Sequence, residues 1–126
     1  MKKLIIANWK CNPVSVKKAE KDLNIIDKGV KKTKHEVVVC APFIYLFSKV
    51  KNIKLGAQDC FWKETGPYTG EISALMLKNI DVKYVIIGHS ERRALGETEE
   101  IIEKKLRGAL KVGLIPILCI GEKKGE

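Results

Sequence analysis

"YVIIGHSERRALGETEE", residues 84–100, sets four residues of buried-strand character directly against a polar cluster. Tyr84, Val85, Ile86 and Ile87 have the apolar, β-branched and aromatic content of a strand covered on both faces. Gly88 ends the run, and His89, Ser90, Glu91, Arg92 and Arg93 follow with no spacer. Thr98 then offers a helix N-cap, with Glu99 and Glu100 where the helix dipole favours acids. Strand, polar exit and helix in succession describe one repeat of a parallel α/β sheet.

Four other apolar runs extend this pattern, at residues 4–7, 37–41, 53–57 and 114–120. All except 53–57 are continuous rather than alternating, which predicts strands covered on both faces. Pro116 interrupts the last run, and the strand is expected to start after it. Between the runs lie helical periodicities. Val16, Ala19, Leu23, Ile26 and Val30 recur at helical spacing behind a Ser15 cap. Residues 43–50 after Pro42 predict a short helix, and residues 73–80 another, opened by Ser73. The helix capped by Thr98 carries an apolar face of Ile102, Leu106, Ala109 and Leu110, with Gly113 at its C′ position. The order β-α-β-α-β-α-β-α-β implies a parallel sheet with right-handed crossovers. An open doubly wound sheet and part of a (β/α)8 barrel both fit. No G-x-G-x-x-G follows any strand, which counts against a dinucleotide fold. Residues 59–71 are irregular and rich in turn residues, as in a functional or interface loop.

The 126 residues suit one domain, 1–126, and 45% hydrophobic content supports a packed core. The formal charge is +9. Only three basic residues are arginine, and two of these are Arg92 and Arg93. The lysines are scattered without aromatic interleaving, so most read as a lysine-rich background and nucleic acid is not expected as a partner. Cys11, Cys40, Cys60 and Cys119 form no C-x-x-C pair, which gives no disulfide framework or metal site. Three of them fall in or at the ends of predicted strands as small apolar groups, in keeping with a reducing cytoplasm. The apolar run 4–7 is too short for a signal-peptide core, and no stretch approaches membrane length.

The polar residues gather at strand exits: Asn8 and Lys10 after the first, Gln58 and Asp59 after the third, His89 to Arg93 after the fourth, Gly121 and Glu122 after the fifth. Parallel strands share one carboxyl edge, where α/β proteins build their sites. Singly, each has a plainer reading. Lys10 can be a solvated lysine, Asn8 a turn residue, His89 a structural histidine, and Glu91 with Arg92 a surface pair. Cys119 and Glu122 read as packing and structural groups, and His35 as an ordinary surface residue. Their co-occurrence on one edge points to a site.

The motifs resemble the triosephosphate isomerase family. "ANWKCN" (7–12) is similar to its N-W-K-M-N segment, with Cys11 in the methionine position and Pro13 where glycine is frequent. "GAQDC" (56–60) and "GPYTGEIS" (66–73) resemble its long third loop, with Pro67 a departure. "VIIGHSERR" (85–93) and "PILCIGE" (116–122) resemble its fourth- and fifth-strand signatures. The resemblance implies a (β/α)8 TIM barrel, here an incomplete barrel of about five parallel strands with their helices. It implies interconversion of dihydroxyacetone phosphate and glyceraldehyde 3-phosphate through an enediolate, without metal or organic cofactor, in the cytoplasm.

By the same resemblance Lys10 would contact the anionic substrate and support the enediolate charge, and Asn8 would orient the substrate oxygens. His89 would polarise the carbonyl and shuttle a proton; a neutral histidine in this family is the standard case of that role. Glu91 would pair with Lys10, Arg92 would tie neighbouring loops, and Cys119 would support the site. Thr69 and Glu71 would reach into a second subunit of a homodimer. The family's carboxylate base lies in an A-Y-E-P-V-W-like segment that residues 1–126 do not contain. Glu91 and Glu122 have other roles by analogy, and Glu126 is a tail residue. Residues 1–126 are therefore expected to be inactive alone and to require a complementary C-terminal half. The rival expectation is a non-catalytic half-barrel fragment whose exposed edges recruit that chain.

Overall fold

A computed structural model describes residues 1–122 and 125; Glu126 lies outside the described residues. Five parallel strands form one sheet in the order β1-β2-β3-β4-β5. They are β1 (Leu4–Asn8), β2 (Glu36–Cys40), β3 (Lys54–Ala57), β4 (Tyr84–Ile87) and β5 (Ile115–Leu118). The helices are α1 (Val16–Gly29), α2 (Ala74–Asn79), α3 (Ser90–Ala94) and α4 (Glu99–Lys111). Strands adjacent in sequence are adjacent in space throughout. The sheet therefore advances one βα unit at a time and makes an open half of a TIM barrel.

The helices begin where side chains satisfy their first amides. The Ser15 hydroxyl accepts from Lys18 N, the Ser73 hydroxyl from Met76 N, and the Thr98 hydroxyl from Ile101 N. At the end of α4, Leu114 N donates to Ala109 O and Gly113 N to Leu110 O, with Gly113 at φ 80°. These are the paired bonds of a Schellman motif, which needs a left-handed residue at that glycine.

The two faces of the sheet have separate cores. Val37, Val39, Leu55, Ala57, Val85 and Ile87 face the helices, against Ala19, Leu23, Leu77, Ile102 and Ala109. Val38, Cys40, Tyr84 and Ile86 form the inner cluster, with Ile117 and Cys119 against it. Gly56 sits among them because a Cβ there would lie 2.6 Å from Cys40 Sγ.

Several sequence expectations change. Residues 43–50 form only a 3-10 turn, Phe43–Tyr45. Tyr45 and Leu46 are buried while Ile44 and Phe47 are 71% and 76% exposed, so no helical stripe extends past one turn. The amides of Lys51, Asn52 and Ile53 instead bond Asp27 Oδ1 at 3.0, 2.7 and 3.0 Å. Pro116 lies within β5, paired with Val85. Ile115 N and Cys119 N donate to β4-side carbonyls, so alternation turns position 116 to the other edge, where a missing N–H breaks no bond. The continuous runs of β1 and β5 are not covered on both faces: Leu4, Ile5, Ile6, Ile115 and Leu118 are exposed, because these strands are the two sheet edges. Val16 and Leu110 also point outward from their helices. Half-buried His35 accepts from Lys3 N and so ties the chain entering β1 to the segment before β2.

Candidate active site

Asn8 closes β1, and its Oδ1 accepts from Lys10 N at 2.9 Å, a tight polar turn. That turn holds Lys10 at φ 53°, a left-handed conformation that lysine rarely adopts. Gln58, at the exit of β3, donates from Nε2 to Lys10 O at 2.8 Å and to Cys40 O at 2.9 Å. The exits of β1, β2 and β3 are thereby stitched together, and Lys10 is clamped on both its N–H and its carbonyl. Strained residues held by their surroundings concentrate at functional sites.

The Lys10 ammonium lies 2.7 Å from Glu91 Oε1. Both side chains are half-exposed, so this pair adds little stability but fixes the direction of the lysine. Lys10 holds the Glu91 carboxyl below the usual carboxylate range. Glu91 therefore stays ionised at neutral pH, which suits an electrostatic partner and not a proton acceptor.

His89 leaves β4 through Gly88, whose φ of 71° provides the turn. Its Nδ1 accepts from Glu91 N at 3.2 Å and lies 3.7 Å from Glu91 Oε2. One nitrogen cannot accept from an amide and donate to a carboxylate together. The shorter, capping contact assigns Nδ1 as the acceptor; in the neutral ring the proton then sits on Nε2, which has no hydrogen-bond partner among the described residues. The Asn8 Nδ2 group has no hydrogen-bond partner among the described residues and is a second available donor.

The two arginines point elsewhere. Arg92 contacts Asp59 Oδ2 at 3.0 Å and Glu97 Oε1 at 3.1 Å. Arg93 donates to Gly88 O at 2.7 Å and Cys119 O at 3.2 Å, and pairs with Glu99. Arg92 thus binds the β3 exit to the loop before α4, and Arg93 joins the β4 and β5 exits. The Cys119 thiol is half-buried, and burial raises its pKa against the pull of Arg93, so it is a packing group and not a nucleophile. Burial pushes the Cys40 and Cys60 thiols up to about 12. Thr69 and Glu71 are exposed in the second half of the 59–71 loop. Exposed Glu122 follows β5. No cluster of three metal-ligating side chains occurs among the described residues.

Lys105 is the group that sequence reading overlooks. It is 4% exposed, and its ammonium is 2.8 Å from both Asp59 oxygens and also bonds Glu97. Position 105 shares a helical face with Ile102 and Ala109, which is the signal that could have found it. One cation, Lys105, and two carboxylates thus lie buried behind the rim, with the Arg92 guanidinium partly exposed beside them. Burial raises the Asp59 carboxyl against Lys105 and Arg92; at Glu97 those cations outweigh burial and hold the carboxyl low. Glu97 Oε2 is buried with no hydrogen-bond partner among the described residues.

Known proteins match this chain in sequence and in fold. The family model described as triosephosphate isomerase matches residues 3–126. Triosephosphate isomerase of Alkaliphilus oremlandii is 54% identical across 100% of this chain and 53% of its own length. That of Aquifex aeolicus is 45% identical across 100% of this chain and 53% of its own. The crystal structure of triosephosphate isomerase from Bartonella henselae superposes with a TM-score of 0.87 at 37% identity, over 97% of this chain and 53% of that one. The chain spans about half the length of the curated relatives it matches.

Proposed function

The chain belongs to the triosephosphate isomerase family, and on that premise we propose that it supplies the carbonyl-activating part of a site that interconverts dihydroxyacetone phosphate and D-glyceraldehyde 3-phosphate. The supporting observation is the meeting of Lys10, Glu91 and His89 at one sheet edge, although 79 to 81 positions separate Lys10 from the other two. Removal of a proton beside the substrate carbonyl sends an electron pair onto its oxygen and forms an enediolate. Donors aimed in advance at that oxygen lower the barrier. His89 Nε2–H is such a donor and can return a proton between the two substrate oxygens. The Lys10 ammonium, held by Glu91, balances the developing charge and the phosphate. Asn8 Nδ2 orients a substrate oxygen. Arg92 and Cys119 support the site from behind.

The proton acceptor is assigned to a carboxylate outside residues 1–126. Glu91 is bound to Lys10, and Asp59 and Glu97 are bound to Lys105. We further propose that residues 1–126 are one domain, that the enzyme works in the cytoplasm without a cofactor, and that Thr69 and Glu71 contact a second subunit in a homodimer. The open edges of β1 and β5 favour a second reading, a fragment that binds a complementary chain without turnover. One assay separates them: residues 1–126 are mixed with a polypeptide carrying the family's later segments, and triose phosphate interconversion is followed. Turnover only on mixing supports the isomerase, and binding without turnover supports the second reading. Rapid turnover by residues 1–126 alone refutes the assignment of the base.

A further inference from the structure

The lysines look scattered in the sequence, but the topology collects them. Lys2 and Lys3 precede β1, Lys31, Lys32 and Lys34 precede β2, Lys51 precedes β3 and Lys83 precedes β4. All lie at the amino ends of the strands, opposite Lys10 and His89. A groove of about 640 Å³ opens on this side between the 46–51 segment, the start of β3 and the end of α2. Leu46, Ile53 and Leu55 line it as nearly buried apolar groups, with Phe47 76% exposed at its lip. Lys49, Lys51, Lys54 and Lys83 ring it, with Asp81 as its acidic residue. None of these four lysines forms an ion pair among the described residues. A second groove continues past Phe47 and Lys49, lined by Lys17 and Lys21 and also by Glu20 and Asp27, so the cationic character belongs to the first groove.

We propose that this lysine-ringed groove is a docking site for an acidic peptide segment of another protein that seats an apolar side chain against Phe47. Charge complementarity selects the partner: four lysines and one aspartate line the groove around an apolar floor, and although Glu36 acts on Lys54 from β2 and Asp27 holds the Lys51 amide, the lining stays cationic. The concave shape admits a side chain and does not suit a flat bilayer. Arginine, the residue suited to bidentate phosphate and base contacts, is absent from the groove: Arg92, Arg93 and Arg107 are all held in ion pairs elsewhere.

The test uses the full-length protein and fluorescence anisotropy of a fluorescein-labelled peptide of alternating Glu and Asp with a central Leu-Phe pair. Saturable binding that weakens with salt is expected, with a loss of about tenfold in Lys49→Glu/Lys51→Glu and about fivefold in Phe47→Ser. The peptide with Gln and Asn for its acids should not bind. Lys54→Gln/Lys83→Gln, at exposed positions, gives an independent loss if the first double variant folds poorly. Equal affinity across all variants overturns the proposal. So does failure to bind the peptide while polyuridylate or phosphatidylserine vesicles bind, which would reassign the face to nucleic acid or membrane.

Discussion

Lys10 is held in one backbone and side-chain geometry by its own neighbours, which on the proposed function prepares it before any substrate arrives. Its left-handed backbone costs on the order of 1–3 kcal/mol, and bonds from Asn8 and Gln58 hold it there. On the proposed function, Lys10→Met and His89→Gln in the full-length protein are each expected to lower kcat/KM by at least about a hundredfold, since each would remove a group that the proposal aims at the developing charge. Glu91→Gln leaves the lysine charged but unguided, and a smaller loss of about tenfold is expected; steady-state rates in both directions check all three. The inner core is equally intolerant at Gly56. A Cβ there meets Cys40 Sγ at 2.6 Å and Val38 Cγ1 at 3.2 Å, so Gly56→Ala should cost about 1–3 kcal/mol in urea unfolding. At this scale the sequence was legible wherever chemistry sits at a strand exit. It was silent where a charge goes inside: Lys105 looks like one lysine among many until α4 turns it onto Asp59 and Glu97.

Elements are joined here by carboxylates that collect amides or cations. Asp27, near the end of α1, receives three backbone amides from the segment entering β3. Burial works to raise its pKa, but the amides of Asn52, Ile53 and Lys51 outweigh it and leave the carboxyl below its ordinary value. A depressed folded pKa contributes stability that is present above the unfolded value of about 3.9 and is lost as pH falls through the folded one. Asp27→Asn should therefore be less stable than the parent at pH 7, and the gap should shrink below about pH 4. Urea midpoints at pH 7 and pH 3 check this; a gap that widens in acid would refute it. The same carboxylate explains why residues 43–50, with the composition of a helix, make only one turn: the chain is committed to Asp27 a few residues later, a long-range bond that periodicity does not reveal. Lys105→Met would leave Asp59 and Glu97 facing each other with only Arg92 between them. Breaking a buried pair in this way costs about 3–5 kcal/mol, and Asp59→Asn added to Lys105→Met should recover part of it.

The whole molecule is an open sheet whose two edge strands are nearly as apolar as the buried strands between them. β2 and β4 are buried on both faces, while Leu4, Ile5 and Ile6 of β1 and Ile115 and Leu118 of β5 meet solvent. The run of consecutive apolar residues in β1 was written for cover on both faces, which is why its sequence promised a burial that five strands cannot give. Each edge also offers unpaired backbone amides and carbonyls to any chain that approaches. Residues 1–126 expressed by themselves are thus expected to associate with increasing concentration, seen as a rising weight-average mass in sedimentation equilibrium. Lys3, beside the β1 edge and without an ion pair among the described residues, opposes this through repulsion, whereas Lys2 is paired with Glu36, so association should strengthen as salt screens the charge. Ile5→Lys together with Leu118→Lys should suppress it, because a charge on each edge strand repels an approaching strand. A monomer at all concentrations, or association that these substitutions leave unchanged, would place the contact elsewhere. If a polypeptide with the family's later strands occupies the same edges, its addition should replace self-association with a single complex of one-to-one stoichiometry.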